Sequence, residues 1–203
     1  MTIRLHRGDL PDLRLYRGPV AIDTETMGLD PHRDRLCLVQ LSAGDGQAHL
    51  VQFDGSAYDA PNLKALLADK NTLKIFHFAR FDLAVLSRYL GVETSPVYCT
   101  KIASKLVRTY TDRHGLKDLC AELLGVELSK QQQSSDWASR ELSESQLAYA
   151  ASDVLHLHKL KERLDQMLER DGRKAFANAA FGFLPVRAKL DLAGFSEVDI
   201  FSH

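Results

Sequence analysis

Four carboxylates and one tyrosine fall at spacings that could do hydrolytic chemistry. The first two, Asp23 and Glu25, close the apolar run Val20-Ala21-Ile22 and are separated by Thr24. Side chains alternate along a strand, so the pair projects from one face. Two like charges that close repel unless a cation lies between them. A divalent metal bound by carboxylate oxygens is the economical cation. A solvated acidic pair at a strand edge fits the same residues, and this stretch alone leaves both readings open.

Asp82 follows the apolar run Leu73 to Phe78 and opens a helical pattern. An acid there often only complements the helix dipole. His77, Arg80 and Phe81 stand at the same strand-to-helix junction, however, and open α/β sheets bind ligands at strand ends. Tyr149 and Asp153 are four residues apart in a later helical pattern, so they share a face. A core tyrosine beside an exposed acid is the ordinary alternative, although aspartate is intrinsically unfavourable mid-helix. Together the four carboxylates make a ligand set for two divalent ions about 3.5–4 Å apart. A tyrosine beside them could orient or help deprotonate a water.

The elements that must position these groups are legible as patterns. Strands are expected over residues 2–5, 19–24, 35–42 and 47–53, with Gly44-Asp45-Gly46 as a hairpin turn, so the sheet begins as a meander. Pro61 suits the first turn of a helix over 61–69. A compact strand over 73–78, a helix over 81–90 ended by Gly91, and a brief strand at 97–99 follow. Helices then dominate, over about 100–109, 115–124, 143–168 (with a break expected) and 173–188. Strands first and helices afterwards indicate an α/β domain with a mixed sheet flanked by helices.

Composition narrows the function. The chain has 203 residues, 45% apolar and 26% charged, with a net charge of −1. Proteins that grip long nucleic acids usually carry a basic surplus. Its absence favours a short or transient substrate held through few phosphates. No apolar run approaches the roughly 18–20 residues that span a bilayer. The first residues lack the apolar region of a signal peptide, so no membrane association and a cytoplasmic location are expected. Cys37, Cys99 and Cys120 form no CxxC pair and read as reduced core residues.

Asp-x-Glu on a strand, Asp at a strand-to-helix junction and Tyr-x-x-x-Asp on a late helix occur here in that order. In this the chain resembles the DEDD superfamily of 3′→5′ exonucleases, in its tyrosine (DEDDy) subclass and RNase D-like branch. The likeness runs from Asp23-Thr24-Glu25-Thr26 through His77–Asp82 to Tyr149–Asp153. It also takes in Thr100-Lys101, His114-Gly115-Leu116 and Lys130 with Ser135-Asp136-Trp137, covering about residues 18–165. Within that branch, Arg33–Cys37, Thr100–Leu106, Thr109–Leu116, Lys130–Trp137 and the tail from Phe183 to Phe201 are similar to the nano-RNase C (NrnC) enzymes of alphaproteobacteria.

The resemblance implies an RNase H-like (DnaQ-like) fold. It implies two Mg²⁺ or Mn²⁺ ions held by Asp23, Glu25, Asp82 and Asp153, with Tyr149 on the attacking water. It further implies a homo-octamer that hydrolyses very short RNA, dinucleotides above all, to nucleoside 5′-monophosphates. General RNA trimming, or exonuclease action on DNA 3′ ends, is the alternative on the same site. An inactive exonuclease-like RNA-binding module is a second, though such a module would be expected to lose a carboxylate. The expected organisation is one domain over 1–203, with a core over about 18–165, a helix and tail over 170–203 serving assembly, and no HRDC domain.

For substrate contacts, the resemblance implies Leu29 as a wedge between two bases. Thr24, Thr26, Met27 and Gly28 would lie along the 3′ nucleotide; ordinary packing is the alternative for Leu29. His77, Arg80 and Phe81 are candidates for phosphate contact and base stacking. Lys101, Lys105 and Arg108 share a helical face, with Arg113, His114 and Lys117 beyond. This is a solvated face or a clamp for the 5′ phosphate, joined by Lys130 and Gln133. Trp137 reads as a packing anchor more readily than a base platform. The apolar tail (Phe181, Phe183, Leu184, Phe195, Ile200, Phe201) should bury against its own domain or a neighbour.

Overall fold

The protein was described from a computed structural model, which places every residue except Met1, Lys130 and Gln133. A six-stranded mixed sheet runs in the order β1-β4-β3-β2-β5-β6. Strands β2 (Val20–Thr26), β3 (Leu36–Ser42) and β4 (Gln47–Gln52) form the expected antiparallel meander. Strand β1 (Thr2–Arg7) is an exposed edge strand, parallel to β4. On the other side β5 (Lys74–Phe76) lies parallel to β2, and β6 (Val97–Cys99) parallel to β5.

β3 is buried along its whole length, Gln40 and Ser42 included. A strand covered on both faces reads as a nearly continuous apolar run rather than an alternating one. Its covering elements are helices. They are α1 (Pro61–Ala68), α2 (Ala79–Leu90), α3 (Thr100–Val107), α4 (Leu116–Leu119), α5 (Glu144–Leu155), α6 (Leu157–Arg170) and α7 (Lys174–Leu190). Helix α4 widens into a π turn, Cys120–Leu124, and α7 into another, Asp191–Phe195. Among the described residues, no helix is long and apolar enough to cross a membrane.

Three boundaries matter for the site. The strand expected over 73–78 stops at Phe76, because the chain turns at His77-Phe78 and α2 begins at Ala79. The helix expected over 143–168 breaks at His156, which separates α5 from α6. Ser143 and Gln146 close a reciprocal capping box at the start of α5, fixing two of its otherwise unpaired N–H groups. That cap sets the register that carries Tyr149 and Asp153. The three cysteines are buried and free, and burial pushes the Cys37 and Cys120 thiols up to about 11 and about 12.

Candidate active site

The central strand β2 supplies the floor of the site. Asp23 pairs across the ladder with Gln40, and Glu25 with Leu38, before a register shift between Glu25 and Thr26. The alternation of the strand sends both carboxylates to one face. Helix α5 brings Asp153 to the same point. Carboxylate oxygens of Asp23, Glu25 and Asp153 lie within 4.8 Å of one another. Asp82, in the first turn of α2, stands outside this trio. Its Oδ1 accepts a 2.7 Å hydrogen bond from the Thr24 hydroxyl.

No Lys, Arg or His among the described residues forms an ion pair with any of the four. The neutral Gln40 amide donates to Asp23 at 3.3 Å, and Thr24 to Asp82. The electrostatic consequence is severe. Burial lifts the Asp23 carboxyl to about 7. Burial, then repulsion from Asp23, Asp153 and Asp82, lifts Glu25 to about 10. Asp82 and Asp153 are also held well above the ordinary carboxylate range, by burial and then by Asp23. Converging oxygen ligands whose charge is left uncompensated fit a hard divalent cation.

Tyr149 lies one turn before Asp153. Burial, with the negative charges of Asp153, Glu25 and Asp23, holds its phenol well above the usual range, so it keeps its proton. Trp137 is buried, with its ring centroid 6.0 Å from that of Tyr149. It fills a small apolar cluster with Cys37, Leu38, Leu50 and Ala150, in keeping with a packing anchor.

These groups line a cleft of about 620 Å³. Of the residues expected from sequence, Thr24, Thr26, Met27, Gly28, Leu29, His77 and Phe81 join the carboxylates and Tyr149 in its wall. Thr24 is mostly buried and its hydroxyl is committed to Asp82, so at the wall it serves to position that carboxylate. Leu29 is 85% exposed, which rules out core packing for it. Gly28 is demanded by a close approach: a β-carbon there would overlap the Asp34 carboxylate. Asp34 is itself buried, bonded to the Asp30 amide and paired with Arg33. His77 bonds Thr100 Oγ1 through Nδ1 at 2.9 Å, and burial, with Lys101 adding to it, pushes its imidazole down to about 3. It is therefore a neutral hydrogen-bonding group and not a cation for phosphate.

Several expected substrate contacts lie elsewhere. Arg80 turns away from the cleft and forms a bidentate ion pair with Asp191 at 2.6 and 2.8 Å. Arg108 is 1% exposed and is spent on Glu122, Ser104 and the Arg113 carbonyl. It caps the end of α3 rather than standing on a solvated face. His114 bonds Ser104 at 2.9 Å, and Lys105 points to solvent; neither lines the cleft. Lys130 and Gln133 lie outside the described residues. Lys101 and Lys117 are the members of the basic group that do reach the wall.

Sequence reasoning missed Phe78. This residue holds a left-handed backbone (φ 66°) at the entry to α2 and presents a ring 46% exposed in the cleft. The Lys101 ammonium sits 4.2 Å from its centroid. The signal was faint, because phenylalanine has no preference for that backbone region.

Residues 11–169 match the family model described as 3′-5′ exonuclease. The chain belongs to that exonuclease family. Its NrnC-like, RNase D-like character is equally plain. NrnC of Brucella melitensis, solved with bound Mg²⁺, superposes with a TM-score of 0.97 at 61% identity, over the whole of both chains. The same protein bound to pGG gives 0.98 at 62% identity, over all of this chain and 99% of that one. Ribonuclease D of Gluconacetobacter diazotrophicus is 39% identical over 161 residues, 79% of this chain and 40% of the relative. The chain thus spans about two fifths of the length of the curated ribonuclease D relatives it matches. Ribonuclease D of Escherichia coli matches with a TM-score of 0.74 at 27% identity, over 84% of this chain and 44% of that one.

Proposed function

We propose that this exonuclease hydrolyses short oligoribonucleotides from the 3′ end, dinucleotides above all, releasing nucleoside 5′-monophosphates. The observation that carries the reading is the convergence of Asp23, Glu25 and Asp153 beside Tyr149, with no cationic side chain paired to them among the described residues, in the wall of a 620 Å³ cleft. That volume is typical of a small-ligand site, not of a track for a long strand. The B. melitensis NrnC bound to pGG supports the same substrate class.

Asp23, Glu25, Asp82 and Asp153 would hold two divalent ions, Mg²⁺ or Mn²⁺. Bound there, such ions lower the pKa of water and stabilise negative charge on the attacking and leaving oxygens. The chain's own groups do the rest. Tyr149, protonated, donates a hydrogen bond that orients the water toward phosphorus. The water oxygen bonds to phosphorus as the P–O3′ bond breaks; one proton leaves the water for solvent, and the 3′ oxygen takes one up from solvent to leave as a hydroxyl. Thr24 holds Asp82 in place. Leu29 enters between the two bases, while Phe78 and Phe81 offer ring faces for stacking. Lys101, close to Phe78, supplies positive charge for the 5′ phosphate.

Assembly belongs to the same proposal. Val198, Ile200 and Phe201 are exposed at the end of the chain, Phe201 to 77%. Apolar side chains clustered at a surface mark an interaction site, and copies of this chain, forming a homo-octamer, are the partner proposed. The functional test is turnover of 5′-phosphorylated RNAs of two to seven nucleotides, with duplex DNA alongside. Fastest hydrolysis of the dinucleotide is expected. Accumulation of dinucleotide from longer RNA would overturn the specialisation and favour general RNA or DNA trimming.

A further inference from the structure

The first turn of α2 carries Asp82 and Phe81 into the cleft, yet little in its own sequence holds it. Its N-cap position is Phe78, in the left-handed region, and the Phe78 side chain makes no capping hydrogen bond. A non-glycine residue held there is strained and persists only where the surroundings over-determine it. The restraint comes from far along the chain. Arg80, the second residue of α2, grips both Asp191 oxygens and donates to the Ser196 carbonyl at 2.7 Å. Asp191 is also held by Arg187 at 2.8 Å. Arg187 in turn bonds the Phe195 and Ser196 carbonyls at 2.8 and 3.0 Å. One mostly buried carboxylate therefore joins the end of α7 and the tail to the turn that presents Asp82.

We infer that Arg80 and Asp191 are positioning residues for the cleft, acting through the α2 turn, so that the C-terminal segment is part of the catalytic apparatus without touching substrate. The inference rests on the exonuclease reading for its kinetic test but not for its structural one. A small displacement of a reacting group costs rate more than binding.

The test compares Arg80→Ala, Asp191→Ala and the double variant, with Asp191→Asn as a milder partner. Each single variant should lower kcat on a 5′-phosphorylated dinucleotide about tenfold, with KM changed less than about twofold. The double variant should lose clearly less than the product of the two single losses, because the Arg80–Asp191 pair is removed in all three. Amide hydrogen exchange at residues 79–83 should quicken in each variant, while β3 amides stay protected. That measurement holds whatever the substrate proves to be. Arg187 still bonds the tail carbonyls, so light scattering should give the wild-type mass. Wild-type turnover by Asp191→Ala would overturn the inference. So would additive losses in the double variant, unchanged exchange at 79–83, or a loss of rate seen only with a fall in mass. Loss in Arg80→Ala alone would return Arg80 to direct phosphate contact.

Discussion

Asp153 and Asp191 are both aspartates near the ends of late helices, and their surroundings are opposite. Asp191 is clasped by two guanidinium groups and two elements of structure depend on it. Asp153 meets Asp23 and Glu25, and among the described residues no Lys, Arg or His is paired with any of them. The same contrast separates the cleft from the α3–α4 face. There Arg108 answers Glu122, and Arg113 answers Asp118. Charge is neutralised where the fold needs holding together and left open in the proposed active site. A buried charge cluster without partners is costly, so its retention points to a cation arriving from solution.

The largest effect should come from breaking the open cluster. Asp23→Ala or Asp153→Ala, or chelation of the wild type with EDTA, should lower turnover by about three orders of magnitude or more. Persistent hydrolysis in EDTA would contradict the reading. Tyr149→Phe leaves the carboxylates untouched and should reduce kcat about a hundredfold with little change in KM. A pre-steady-state assay on a dinucleotide separates the two. Phe78→Ala should raise KM about tenfold, the loss of one stacking contact, with kcat nearly kept. The reverse pattern, kcat lost and KM kept, would show Phe78 to be a determinant of the α2 turn rather than a stacking surface.

The contrast also has a pH dependence with a definite sign. The Asp23 carboxyl titrates near 3.8 when unfolded and near 7 in the folded, metal-free protein. Between those values the folded state binds more protons, so stability falls as pH rises across that window. Asp23→Asn should therefore raise the metal-free melting temperature by about 5 °C at pH 8 and leave it unchanged near pH 4. Adding Mg²⁺ to the wild type should recover stability at pH 8. The mildest probe concerns the tail: Ile200→Glu with Phe201→Glu should lower the mass by light scattering while the monomer's melting changes by under about 2 °C.

Much of this architecture was readable before any coordinates. The strands declare themselves as short apolar runs between turns, and β2 announces its role because two acids follow Val20-Ala21-Ile22. Tyr149 and Asp153 were legible because helical spacing is a local property. Partners were not. Nothing near Arg80 says that its carboxylate lies 111 residues away, and nothing near Arg108 separates a capping arginine from a solvated one. Residue type reveals what a side chain could hold, and only the folded chain decides what it meets first. Phe78 was missed for a related reason: its backbone is imposed by tertiary contacts against its own preference. The break at His156 has no proline or glycine to mark its place.

The rim loop between Thr26 and Asp34 carries a last consequence. It is mostly exposed, and exposed loops normally accept substitution freely. A methyl group at Gly28 would lie 2.3 Å from Asp34 Oδ2 and would force that carboxylate off its bond to the Asp30 amide. The neighbours of Gly28, Met27 and Leu29, are exposed on the cleft rim, so packing within the fold does not fix their type. The loop can therefore vary what it offers a base while its contour stays fixed. On the proposed function, substitutions at Met27 and Leu29 would shift base preference while leaving the depth of the cleft unchanged.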